Sequence, residues 1–126
     1  MPEVKDMYRT VTPYLVVPNA DAELAFLKAA FGGTELECHR NEDNTVMHAE
    51  IQIGDSLVML GQAGGQWAAR SAALYLWVED VDATYGKALA AGATSESAPE
   101  DKPYGHRNAG VVDQNGVTWW IGAPVK

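Results

Sequence analysis

His48 and Glu50 stand two residues apart in Val46-Met-His-Ala-Glu-Ile-Gln-Ile53, where apolar and polar residues alternate. Successive side chains of a β-strand point to opposite faces, so an imidazole and a carboxylate at this spacing point the same way. The pair suits a general acid or base with its orienting carboxylate. It also suits hydrogen-bonding partners for a ligand, or simply a half-exposed polar strand face. Completed by His39 or His106, it would make a metal clip. Arg107, beside His106, is suited to an anionic group or to a carboxylate of the chain itself. Cys38 adjoins His39 and Arg40, but strand neighbours face opposite ways, so it lacks the basic surroundings of a reactive thiol and reads as structural.

The elements that must position these groups follow from periodicity. Val11 to Val17 reads as a strand, and Pro18-Asn19 breaks it. Asp21 can cap a helix to Phe31 with Leu24, Leu27, Ala30 and Phe31 on one stripe, and Gly32-Gly33 ends it. Glu35 to Arg40 and Val46 to Ile53 form a hairpin, and Gly54-Asp55 turns into a fourth strand, Leu57 to Leu60. A Gly/Ala-rich connector carrying Trp67 follows. Then comes a strand over Ala73 to Val78, and a helix from Val81 to Ala91 after Glu79-Asp80. Two more strands lie around Arg107 to Val112 and Val117 to Ile121, joined by the turn Asp113-Gln-Asn-Gly116. The segment Pro99 to Gly105 carries Pro, Gly and charge and reads as a flap.

The second half repeats the first. Val17-Pro-Asn-Ala-Asp-Ala22 matches Val78-Glu-Asp-Val-Asp-Ala83, and Met59-Leu-Gly61 matches Trp120-Ile-Gly122, both at an offset of 61. Gly32-Gly-Thr34 resembles Gly92-Ala-Thr94 after a one-residue slip. Repetition at this period organises the chain more strongly than any single motif.

With 126 residues the chain is one domain by length. A net charge of −8 without a Lys/Arg cluster argues against nucleic acid, whose phosphates need clustered basic side chains; the acidity serves solubility first, and it would attract cationic ligands over long range. No apolar run is long enough for a bilayer. The acidic, non-apolar first residues and the single cysteine lead to an expectation of a cytoplasmic location without disulfides.

Two tandem βαβββ units resemble the vicinal oxygen chelate superfamily, and within it the short bleomycin-resistance-like branch. The likeness rests on Thr12-Pro-Tyr-Leu15, Ala30-Phe-Gly-Gly33, His48-Ala-Glu-Ile51 with Ile53-Gly-Asp-Ser56, and Val78-Glu-Asp-Val-Asp-Ala83. Ala90-Ala-Gly-Ala93, Tyr104-Gly-His-Arg107 and Asp113-Gln-Asn-Gly-Val-Thr-Trp119 complete it. Near the end the branch usually has Asp-Pro-x-Gly-His, where this chain has Gln114 and Val117. The resemblance implies an α+β fold of curved mixed sheets around a cleft, in one domain spanning 1–126. Module 1 would cover about 8–62 and module 2 about 70–124.

The family's metalloenzymes place one ligand on the first and one on the last strand of each module. Carried over by register, those positions are Thr12, Met59, Ala73 and Trp120, none a competent His, Glu or Gln ligand. No stoichiometric transition metal and no cofactor are therefore expected. If helices cover one face of each sheet, the apolar alternates (Val11, Leu15 and Val17; Met47, Ala49 and Ile51; Leu74, Leu76 and Val78; Trp119 and Ile121) suit that side. The cleft would then take Tyr14, His48, Glu50, Leu57, Met59, Tyr75, Trp77 and Trp120, with Trp67 as a lid or interface residue and Arg107 near the flap. Aromatic walls with a methionine and few polar groups suit a small-molecule pocket. The expected function is a binding protein for an antibiotic or another aromatic or cationic compound, acting as a homodimer. The alternative is a lyase, isomerase or dioxygenase-type enzyme using His48 and Glu50 or an atypical metal site.

Overall fold

A computed structural model describes residues 8–125. Four strands and a helix form each module: β1 (Tyr14–Val17), α1 (Ala20–Phe31), β2 (Thr34–Arg40), β3 (Val46–Ile53) and β4 (Ser56–Gln62), then β5 (Ala73–Trp77), α2 (Val81–Ala90), β6 (Thr94–Asp101), β7 (His106–Val112) and β8 (Thr118–Pro124). The expected βαβββ order is present twice. Asn19, not Asp21, caps α1, its side chain accepting from the backbone N–H of Ala22 at 3.0 Å. Asp21 lies one residue inside the helix, where its carboxylate favours the positive end of the helix dipole and pairs with Arg40 at 2.8 Å. Gly32 ends α1 at φ 69, a left-handed conformation open to glycine without penalty. Asp80 caps α2.

The strand over 94–101 has no counterpart in the sequence reading, and the first three residues of the expected flap, Pro99 to Asp101, belong to it. Its residues, Thr-Ser-Glu-Ser-Ala-Pro-Glu-Asp, offer no apolar alternation because β6 is an edge strand that buries little on either side. Pro99 falls between the paired positions Ser97 and Glu100, at a register shift, where its missing N–H costs no ladder bond.

The sheets have equivalent orders, β1-β4-β3-β2 and β5-β8-β7-β6, each with its first strand parallel to its last. Register carries the repeat into space. Tyr14 pairs with Met59 and Tyr75 with Trp120, while Val16 pairs with Gly61 and Trp77 with Gly122. Leu15, Val17, Ala49, Ile51 and Leu60 are buried toward α1, as are Ala109, Val111, Trp119 and Ile121 on the helix side of module 2. Two assignments to that side fail. Val11 precedes β1 and is exposed. Met47 is displaced by a bulge: His39 pairs with His48 but Arg40 with Val46, so Val46 takes the core position and Met47 turns outward.

The elements that meet across the two modules are α1 and α2. Phe31 at the end of α1 sets its ring edge-on to Trp119 of β8, centroids 5.1 Å apart, and the helix-covered faces share one continuous core. The helix-free faces consequently look away from that core. Met59 of β4 and Trp120 of β8, equivalent by the repeat, lie on these two separate faces. No helix among the described residues is long and apolar enough to cross a membrane.

Candidate functional site

The helix-free face of module 1 is polar at its centre. His48 Nε2 lies 3.0 Å from Glu50 Oε2, and His48 Nδ1 lies 3.5 Å from the Tyr14 hydroxyl. Tyr8 donates its hydroxyl proton to the same carboxylate, 2.7 and 2.8 Å from its two oxygens. Glu50 is buried while His48 is half-exposed, so a shielded carboxylate orients an accessible imidazole. Cross-strand pairing adds Glu37 opposite Glu50 and His39 opposite His48 on the same face. Beside this cluster runs a groove of about 760 Å³, walled by Tyr14, Val16, Met47, Gly61 and Trp67. Trp67 is brought there by a small antiparallel bridge with Gly64. Gly61 lets the Tyr14 ring lie across the strand, for a Cβ there would stand 3.0 Å from the Tyr14 hydroxyl and 2.8 Å from the Met47 carbonyl oxygen.

Module 2 repeats this geometry with different chemistry. Tyr75 lies over Gly122 as Tyr14 lies over Gly61, and Asn108 Nδ2 lies 3.5 Å from the Tyr75 hydroxyl, where His48 stands by Tyr14. Opposite Trp120 is Gly110, where module 1 has Glu50 opposite Met59. A Cβ at Gly110 would come within 2.5 Å of the Trp120 ring, so the glycine is the floor on which that ring rests. Tyr75 and Trp77 have ring centroids 4.8 Å apart, Trp77 and His106 4.9 Å, and Tyr104 and His106 5.4 Å. Asn108 donates to the Tyr104 hydroxyl at 3.0 Å. The result is an aromatic shelf whose outer members stay open, with Tyr75 42% and Trp77 58% exposed.

The match to known proteins agrees with this geometry. The model of the Glyoxalase/Bleomycin resistance protein/Dioxygenase superfamily matches residues 8–121. The chain belongs to that superfamily. Uncharacterized proteins of Mycobacterium bovis and Mycobacterium tuberculosis are 34% identical to it, each over 92% of this chain and over 84% and 75% of their own lengths. TioX from Micromonospora sp. ML1 superposes with a TM-score of 0.79 at 25% identity, covering 94% of this chain and all (100%) of TioX. The fosfomycin resistance protein FosX from Mesorhizobium loti shares the fold, with a TM-score of 0.68 at 13% identity, over 93% of this chain and 92% of FosX.

The superfamily's metal positions do not fit a metal in this member. Thr12 lies ahead of β1, its hydroxyl 3.3 Å from the Arg9 carbonyl oxygen, and Ala73 has no donor. Met59 offers only a thioether, and the Trp120 indole has no lone pair to give.

Of the proposed site residues, Tyr14, His48, Glu50 and Met59 share the helix-free face of module 1, with Trp67 at its groove. Tyr75, Trp77 and Trp120 share that of module 2. Arg107 stands apart from both. It alternates with His106 and Asn108 onto the helix side, where its guanidinium forks onto Asp82 at 2.9 and 3.1 Å and reaches Asp101 at 3.1 Å. Of its two sequence readings, the carboxylate partner is the one realised.

Sequence reasoning missed a buried junction. Asp113, read only as a turn residue, accepts from the backbone N–H groups of Asn115 and Val117 and from Trp119 Nε1, at 2.9, 3.1 and 3.0 Å. Asn115 reaches across to α1, donating to the Asn19 carbonyl and to Glu23 Oε1 at 2.8 and 3.0 Å. Glu23 is completely buried, and burial, then the neighbouring Asp113, pushes its carboxyl up to about 9. A glutamate on the apolar stripe of a helix starting beside a polar turn was the available signal.

Proposed function

We propose that this protein binds a small aromatic or cationic molecule between helix-free sheet faces, and that a second copy of the chain completes the site. The observation that carries this reading is the set of tyrosine and tryptophan rings held open on faces that a monomer leaves uncovered. Contiguous exposed apolar surface of this kind marks ligand or protein contact. Module 1 supplies a polar centre and module 2 an aromatic shelf, so pairing module 1 of one copy with module 2 of another would give one pocket both. The acidic chain favours a cationic occupant, an antibiotic among them, in a cytoplasmic setting. The hydrogen-bonded row Tyr14, His48, Glu50 favours a second reading, a proton-transferring enzyme of the lyase or isomerase type. Saturable binding without turnover of the bound compound separates the two.

Sedimentation at micromolar concentration is expected to give a homodimer, and a monomer throughout that range would refute the shared site. A planar aromatic cation is expected to quench tryptophan fluorescence and to raise the melting temperature, since it binds only the folded state. Trp120→Ala should weaken that binding by roughly 1 to 3 kcal/mol, the scale of a lost aromatic contact, and leave the chain folded. Undiminished binding by the folded variant would remove Trp120 from the site.

A further inference from the structure

We propose that the helix-free face of module 1 binds a zinc-like divalent ion through Glu37, His39, His48 and Glu50, one strand pair away from the superfamily's metal positions. This inference is independent of the small-molecule reading and revises the expectation of a metal-free chain.

β2 carries Glu37-Cys-His39 and β3 carries His48-Ala-Glu50, so each antiparallel strand presents one imidazole and one carboxylate on a single face. Register sets glutamate opposite glutamate and histidine opposite histidine, closing a two-by-two array of two nitrogen and two oxygen donors. Tetrahedral zinc is held by donors about 2.0 to 2.2 Å from the ion, which places neighbouring donors roughly 3.3 Å from each other. The intrastrand pairs already stand near that spacing, His48 Nε2 to Glu50 Oε2 at 3.0 Å and His39 Nε2 to Glu37 Oε2 at 3.5 Å. Donor atoms of Glu37, His48 and Glu50 all lie within 4.8 Å of one another. The His39 and His48 rings are stacked with centroids 6.4 Å apart, so His39 can supply a fourth donor from the more exposed rim.

The surroundings suit a cation. Tyr8 donates to Glu50, the kind of outer hydrogen bond that fixes a ligating carboxylate. Module 2 has no equivalent, since Gly110 and Asn108 stand where module 1 has Glu50 and His48.

Zinc chloride titrated into the chelator-treated, folded protein at pH 7.5, in competition with a chromophoric chelator, tests the assignment. One zinc per chain is expected, with a rise in melting temperature. His48→Ala and Glu37→Gln, both at partly exposed positions, should each weaken binding about tenfold or more while circular dichroism stays unchanged. His106→Ala, in module 2, should leave it unaltered. Absence of saturable binding overturns the proposal. So does equal loss in His106→Ala and His48→Ala, which would indicate scattered surface histidines.

Discussion

Trp119→Ala should bring the protein to the edge of unfolding, a loss of about 3 to 5 kcal/mol from a domain whose whole stability is of order 5 to 15. Trp119 is among the largest fully buried side chains, and two kinds of contact end on it. Its ring closes the inter-module core against Phe31, and its indole N–H satisfies the buried Asp113 carboxylate. Trp119→Phe separates them, keeping most of the ring while stripping the donor from a charged acceptor, and should cost roughly 1 to 3 kcal/mol. Urea denaturation of both variants reads the difference. A Trp119→Ala protein within 1 kcal/mol of the parent would mean that the modules hold together without this contact. The neighbouring Trp120→Ala serves as the contrast, since its ring lies on Gly110 at the open face.

The second large effect is alkaline destabilisation through Glu23. Its carboxyl, ordinarily near 4.5, is pushed up to about 9 in the folded chain by burial and by Asp113. The folded protein thus keeps a proton that the unfolded chain releases. The stability that Glu23 contributes is complete below about pH 4.5. It falls by about 1.4 kcal/mol per pH unit above that and is gone beyond about 9. Glu23→Gln keeps the shape, can still accept from Asn115, and cannot ionise. Its urea midpoint should overtake that of the parent progressively between pH 5 and pH 9. Parallel curves across that window would show that Glu23 does not hold the proton. Asp21 and Asp82 do not confound the test, because their arginine partners lower their carboxyls and move their titration to the acid side.

Sequence alone was enough for the module order and the strand faces wherever one face is buried. Ala49 and Ile51 alternate with His48, Glu50 and Gln52 because a sheet covered on one side imposes a period of two. The repeat at an offset of 61 makes Tyr14 equivalent to Tyr75 and Met59 to Trp120, and the strand registers match it, pairing Tyr14 with Met59 in one sheet and Tyr75 with Trp120 in the other. His48 and Glu50 were legible as a pair because strand spacing is local. Where burial imposes nothing, the reading failed. The β6 edge strand has no apolar face to reveal it, and the bulge at Met47 breaks the alternation on which its assignment relied.

The remaining decisions are tertiary because they depend on which surfaces meet. Nothing local in Glu37-Cys-His39 says that it lies opposite His48-Ala-Glu50, since the bulge after His39 sets that register. Nor does a polar turn at 113–116 announce that it will dock on α1 beside a buried glutamate. Both open faces look outward because the α1–α2 packing joins the modules through their helix-covered sides. A repeat in sequence defines two equivalent modules, but the apolar surfaces available at the junction decide which of their faces is buried.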